Sequence, residues 1–124
     1  MKKILIVDDQ VAMIKILSEI LSKENFKICT APNGLLGIKK AIEEKPDLII
    51  MDVMMPVKNG IDAIREIRQI SELKLTPVIV LTAKGGLNDS QMVFDVGANS
   101  FLPKPFSPGE IISEVKKYLF QINI

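Results

Sequence analysis

The chain has 124 residues, with 16 Lys and Arg set against 15 Asp and Glu for a net charge of +1. That length suits one packed domain, and residues 1–124 are read as one; the balanced charge offers no global field for nucleic acid. No histidine is present, which excludes a Ser-His-Asp triad, a His-based zinc site and an imidazole base, and leaves chemistry to carboxylates, hydroxyls, lysine and metal.

Taken in chain order, short apolar runs alternate with longer amphipathic stretches. A strand is predicted over residues 3–7, and it meets Asp8 and Asp9 far too soon for a secretory or membrane segment. Met13, Ile16, Leu17, Ile20 and Leu21 follow the spacing of a helix with one apolar face. The next strand, 26–30, contains Cys29, the lone cysteine, read as a buried free thiol of a reducing cytoplasm. Asn33-Gly34 is turn chemistry, after which Leu35, Ile38 and Ile42 suggest a second helical stripe. A third strand over 47–51 leads into Asp52, and a fourth over 77–81 leads into Thr82. Asn88-x-x-Gln91 is a weak helix-start signal ahead of Met92, Val93 and Val96, with Gly97 suited to ending that helix. The fifth strand, 99–102, runs on to Lys104. Ser107-Pro108-Gly109-Glu110 then combines a Ser cap, a helix-compatible Pro and a Glu three residues beyond the cap, ahead of Ile111, Ile112, Val115 and Leu119.

Repeated strand–helix alternation of this kind implies an α/β domain, a parallel sheet covered by helices on both faces. Ligands in such folds bind at the carboxyl ends of the strands. Asp8 and Asp9, Asp52, Thr82 and Lys104 follow four of the five predicted strands, so the topology would gather them at one edge. Two carboxylates about 4 Å apart repel by roughly 4 kcal/mol at an effective dielectric of 20. Crowded acids therefore call for a cation, and one or two carboxylates with phosphate and water oxygens suit Mg²⁺. With Lys104 as a positive charge and Thr82 as a hydroxyl, the set is what phosphoryl transfer to a carboxylate requires.

Ile4-Leu5-Ile6-Val7-Asp8-Asp9, Pro46-Asp47-Leu48-Ile49-Ile50-Met51-Asp52, Met55-Pro56 with Asn59-Gly60, Pro77-Val78-Ile79-Val80-Leu81-Thr82-Ala83, and Gly97-Ala98 leading to Lys104-Pro105-Phe106 carry a resemblance. In order and over nearly the whole chain, they resemble the CheY-like response regulator receiver family. The resemblance implies a flavodoxin-like (βα)5 sandwich with strand order 2-1-3-4-5. It implies that Asp52 accepts a phosphoryl group from a phosphohistidine of a sensor histidine kinase. Asp9, Asp52 and the backbone carbonyl of Met54 would ligate Mg²⁺, with Asp8 acting largely through water. Lys104 would pair with the acceptor or its phosphate, Thr82 would move toward the phosphate, and Phe101 would turn inward behind it. Ala83 would leave the phosphate room and offer its N–H, and the Lys104–Pro105 bond would be cis.

Some positions depart from the pattern. Phe101 stands where many relatives have Tyr. Pro103 falls late in a strand and fits only an edge. Met54 and Lys84 flank the approach to the phosphate; Met54 brings no polar group to orient water, so a long-lived phosphoryl group is expected. The readout would be the face made by the fourth helix, fifth strand and fifth helix, roughly 88–118. Val11, off the core stripe of the first helix, and Ile14 at its margin would join Pro105 and Phe106 in a kinase-docking patch.

Two rivals stand beside this reading. A haloacid-dehalogenase-like phosphohydrolase would use Asp8 as nucleophile, but Gln10 sits where its second acid belongs. A pseudo-receiver would bind partners without phosphorylation, yet all five site residues are present. No Walker sequence or G-x-G-x-x-G supports nucleotide or flavin binding. The chain ends soon after the fifth helix, so a stand-alone regulator is expected, acting on a downstream effector or phosphotransfer protein; an excised receiver is the alternative. A monomer is expected, with a phosphorylation-dependent dimer left open.

Overall fold

A computed structural model describes residues 1–55, 57–83 and 90–120. Pro56, Lys84 and Asn88, all invoked above, lie outside the described residues. The elements run β1 (Lys3–Val7), α1 (Val11–Ser22), β2 (Lys27–Ala31), α2 (Gly34–Glu44), β3 (Leu48–Asp52), α3 (Gly60–Arg68), a 3-10 turn (Ser71–Leu73), β4 (Val78–Ala83), α4 (Ser90–Asp95), β5 (Ser100–Lys104) and α5 (Pro108–Leu119). The five strands are all parallel, in the order β2-β1-β3-β4-β5. The predicted flavodoxin-like topology is therefore the one observed. No helix among the described residues is long and apolar enough to cross a membrane.

Both faces of the sheet are buried, which explains why its strands read as continuous aliphatic runs. Side chains alternate: Leu5, Val7, Ile49, Met51, Val78 and Val80 pack with residues of α2, α3 and α4 on one side. Ile4, Ile6, Leu48, Ile50, Ile79 and Leu81 pack with Leu17 and Leu21 of α1 and Ile111 and Val115 of α5 on the other. Local signals set the helix starts. Ser107 and Glu110 form the expected reciprocal capping box of α5, and Gly97 follows α4 with φ +108°. Asn33 and Asn59 cap α2 and α3 by accepting from the N–H groups of Leu36 and Asp62. Asn33 thus opens a helix rather than making a simple turn.

Several expectations are corrected. The predicted ends of strands fall short: β3, β4 and β5 continue through Asp52, Thr82 and Lys104, because ladder hydrogen bonds are indifferent to side-chain polarity. Cys29 is half-buried rather than buried, since β2 is an edge strand covered on one flank, and its thiol lies 3.7 Å from the carbonyl of Ile4. In α1, Ile16 is exposed while Ile14 packs against the core beside Met13 and Ile20, so the buried face is rotated from the predicted stripe.

The largest departure is α2. Leu35 and Ile42 are exposed, and the buried residues are Gly34, Gly37 and Ala41, with Ile38 at the margin. A Cβ on Gly37 would stand 2.9 Å from a methyl of Val7. The helix presses its small side onto β1, and bulk there has nowhere to go. Gly37→Leu is expected to cost about 1–3 kcal/mol of unfolding free energy through overpacking. Leu35→Ala, on the exposed side, should change it by less than about 0.5 kcal/mol. Denaturant titration of both variants checks this, and the reverse order would mean that α2 packs by its leucine side.

Candidate functional site

Every charged group of the candidate site stands where a strand ends. Asp8 follows β1, whose neighbours are β2 and β3, and is fully buried. Its backbone N–H donates to the carbonyl of Ala31 at 3.1 Å, and its Oδ1 accepts from the N–H of Gln10 at 2.9 Å. That side-chain turn aims the carboxylate inward and starts α1 one residue later. Asp9, next in sequence, points to solvent.

Asp52 closes β3 and is 4% exposed. Its Oδ1 accepts from the N–H of Met54 at 3.3 Å. Behind it, the N–H of Gly60 donates to the carbonyl of Val53 at 3.0 Å. A Cβ at position 60 would collide with the carbonyl oxygen of Asp52 and lie 2.9 Å from the Cα of Val53. Only glycine lets α3 start against the backbone at the end of β3. Between them the chain passes through Val57 at φ +71°, a left-handed conformation that is costly for a β-branched side chain.

Lys104, the last residue of β5, reaches across β4 to the acids. Its Nζ is 3.4 Å from Asp8 Oδ2 and 3.7 Å from Asp52 Oδ1. Thr82, buried near the end of β4, sits beside Pro103 in the register that aligns Ala83 with Lys104. Oxygen atoms of Asp8, Asp9 and Asp52 all lie within 4.8 Å of one another. Three carboxylates against the Lys104 ammonium leave excess negative charge, and an all-oxygen donor set fits a hard divalent cation such as Mg²⁺. Burial and the neighbouring Asp8 push the Asp52 carboxyl up to about 6, against the opposing pull of Lys104 and the Met54 N–H, with Asp9 adding to the rise.

The remaining predicted positions divide. Met54, two residues beyond Asp52, is exposed. Phe101 is 37% exposed, its ring 6.0 Å from that of Phe94 at an interplanar angle of 66°. Lys104–Pro105 is cis, as the resemblance implied. Val11 is 81% exposed and Pro105 is exposed too, whereas Ile14 and Phe106 pack partly against the core. Sequence reasoning missed the contact of Gly60 with the backbone of Asp52, although Asn59 as a helix cap was a usable signal for where α3 must begin.

A family model described as the response regulator receiver domain matches residues 4–116. The chain is 44% identical over 117 residues to the transcriptional regulatory protein ResD of Bacillus subtilis, covering 94% of this chain and 48% of ResD. It is 41% identical over 119 residues to a CpxR homolog of Haemophilus influenzae, covering 96% of this chain and 51% of that protein. The chain thus spans about half the length of the curated relatives it matches. Among solved structures it resembles the chemotaxis response regulator CheY4 of Vibrio cholerae, with a TM-score of 0.90, 33% identity and coverage of 96% of this chain and 99% of that one. The receiver domain of a Pseudomonas aeruginosa sensor histidine kinase has a TM-score of 0.89 and 27% identity, covering 97% of this chain and 98% of that one. That structure has a magnesium ion coordinated in its active site cleft.

The raised Asp52 carboxyl makes a signed prediction about stability. Its neutral form is favoured in the fold, so the stability it contributes is fully present below the ordinary carboxyl value of 3.8 and is lost as pH rises through about 6. Above that point ionised Asp52 opposes folding in the metal-free protein. Asp52→Asn is expected to stabilise the metal-free chain by about 1–3 kcal/mol at pH 7.5, with the gain shrinking toward pH 4. Thermal unfolding with chelator present measures this; an equal gain at both pH values would show that charge is not the cause. Added Mg²⁺ should narrow the gap by stabilising the wild type.

Proposed function

The chain belongs to the response regulator receiver family, and from that premise we propose that Asp52 is a phosphoacceptor in a two-component relay. The observation that carries the reading is the cluster at the strand ends. Asp8 and Asp52 are buried together, Asp9 completes a triangle of carboxylates, and Lys104 lies within 4 Å of two of them. An oxygen of Asp52 attacks the phosphorus of a phosphohistidine on a sensor histidine kinase. The new P–O bond forms as the P–N bond breaks, and the departing imidazole nitrogen keeps the electron pair and takes up a proton. A divalent cation held by Asp9, Asp52 and the Met54 carbonyl, with Asp8 through water, would supply positive charge for the phosphoryl oxygens. Lys104 supplies a further positive charge and the Ala83 N–H a further donor, while the Thr82 hydroxyl hydrogen-bonds the same group.

The domain acts as a signalling element and works chemically only on its own phosphoryl group. Drawing Thr82 toward the phosphate opens room behind it for Phe101, which now rests edge-on against Phe94 at the surface. The altered face of α4, β5 and α5 is read by a downstream effector or phosphotransfer protein. A partner that binds only this altered face adds to the shift, since 1:99 to 99:1 takes about 5.5 kcal/mol. The hydrolase alternative loses its ground, because Asp8 is bound by Gln10 and Lys104 and no acid stands at position 10.

Incubation with acetyl phosphate and Mg²⁺, followed by intact-mass measurement, is expected to show a gain of one phosphoryl group that vanishes in Asp52→Ala. A folded, Mg²⁺-binding wild type without an adduct would point to a pseudo-receiver. Docking is tested separately. Val11→Glu should slow transfer from a phosphorylated kinase by roughly tenfold, the effect of about 1.4 kcal/mol, and leave labelling by acetyl phosphate unchanged. Equal loss with both donors would remove Val11 from the docking surface. Val11 suits this test better than Ile14 or Phe106, whose partial burial would mix docking with folding.

A further inference from the structure

At the opposite end of the sheet from the acids, Arg68 ends α3 with its guanidinium inside a turn of backbone. Its Nε donates to the carbonyl of Gly97 at 2.9 Å, one terminal nitrogen to the carbonyl of Leu73 at 2.8 Å, and the other to Asn99 Oδ1 at 3.2 Å. The same Asn99 oxygen accepts from the N–H of Val78 at 2.9 Å, and the Asn99 carbonyl accepts from the hydroxyl of Tyr118 at 3.1 Å. Arg68 thus ties together the end of α3, the 3-10 turn, the start of β4 and the α4–β5 corner. The planar fork of arginine serves these three acceptors from three separate nitrogens, a spread that the single nitrogen of lysine lacks.

The other end of this helix touches the acceptor. Gly60, its first residue, lies against the carbonyl of Asp52 and bonds to Val53. A nine-residue helix is about 13 Å long, and Ile61, Ala63, Ile64 and Ile67 bury one whole side of it. We propose that α3 is a strut coupling Asp52 to the α4–β5 corner, with Arg68 as the positioning residue that makes the far connection. This rests on the phosphoacceptor reading. It adds a second route to the signalling face, separate from Thr82 and Phe101, because it meets the chain at Asn99, just before β5. A phosphoryl group that shifts the backbone of Asp52 displaces Gly60, the buried helix moves as a unit, and the Gly97 and Asn99 contacts move with it.

The test compares wild type, Arg68→Met and Arg68→Lys. Each is labelled with acetyl phosphate and Mg²⁺ for intact mass, then saturated with beryllium fluoride and Mg²⁺, a non-covalent stand-in for a phosphoryl group. Backbone amide exchange is followed at Gly97, Ala98 and Asn99, whose N–H groups bond to Phe94, Val93 and Val78. In wild type, saturation is expected to change exchange there by about 5-fold or more, the low end of ordinary coupling between sites. In Arg68→Met the ratio between the two states should fall toward one while the mass gain persists. Arg68→Lys keeps the charge but not the fork, and should recover only part of the ratio. A merely structural anchor would speed exchange equally in both states and leave the ratio intact, which would overturn the proposal. An unchanged wild-type corner would overturn it too. Should Arg68→Met not fold, a full wild-type ratio in Arg68→Lys is the overturning result. No adduct on wild type would instead overturn the phosphoacceptor reading, and the coupling with it.

Discussion

Two carboxylates that burial should keep apart are held together by one lysine, and the arrangement of the whole domain follows from that conflict. Strands β1 and β3 are neighbours with Val7 opposite Met51, so the next residues, Asp8 and Asp52, must emerge side by side. Strand β4 separates them from β5, and only a side chain as long as that of Lys104 spans the gap. One ammonium does not balance three acids. The imbalance appears as the rise of Asp52 to about 6, caused first by burial and then by Asp8. A site left with this excess of negative charge is one that a bound divalent cation would stabilise. Stability given up at the strand ends would become affinity for that cation.

The surroundings of Asp52 carry the same trade in the backbone. Asp52 sits at the end of a strand buried at every position, yet the chain leaves it through Val57 in a conformation few β-branched residues adopt. Such a conformation persists only where neighbours over-determine it. Here the Lys58 carbonyl accepts from the N–H of Gly34 at 3.2 Å, the Lys58 side chain pairs with Glu66, and Asn59 caps α3. The loop is anchored to α2 on one side and α3 on the other, which keeps Met54 beside the acids.

Much of this was legible from the residues. The aliphatic runs gave five strands because both sheet faces are covered, and the polar residues ending four of them gave the site. The α2 face was read inverted for a physical reason: periodicity reports where large apolar residues are, whereas a helix pressed close to a strand buries its smallest side, as Gly37 does against Val7. Strand ends were read short because apolar runs stop where the chemistry starts, while the ladder continues through it. Cys29 looked buried because composition cannot show which strand lies at an edge. Arg68 left no trace in the sequence reading, since two of its acceptors are backbone carbonyls, contributed by residues whose own side chains carry no signal of the contact.

The edge strand β5 is tied at both of its ends. Lys104 fixes its carboxyl end to the acids, and Asn99, just before its first residue, fixes the amino end to Arg68 and Tyr118. Between them stand Phe101, half-open to solvent, and Pro103, which gives the free edge no donor. An edge strand has hydrogen-bond partners on one side only, so its position depends on its ends more than that of any central strand. A central strand that shifted would have to break two ladders and two packed faces at once. Strand β5 shifts against one ladder, with α4 and α5 alongside it. The tethered edge is therefore the part of the sheet that can respond at least cost.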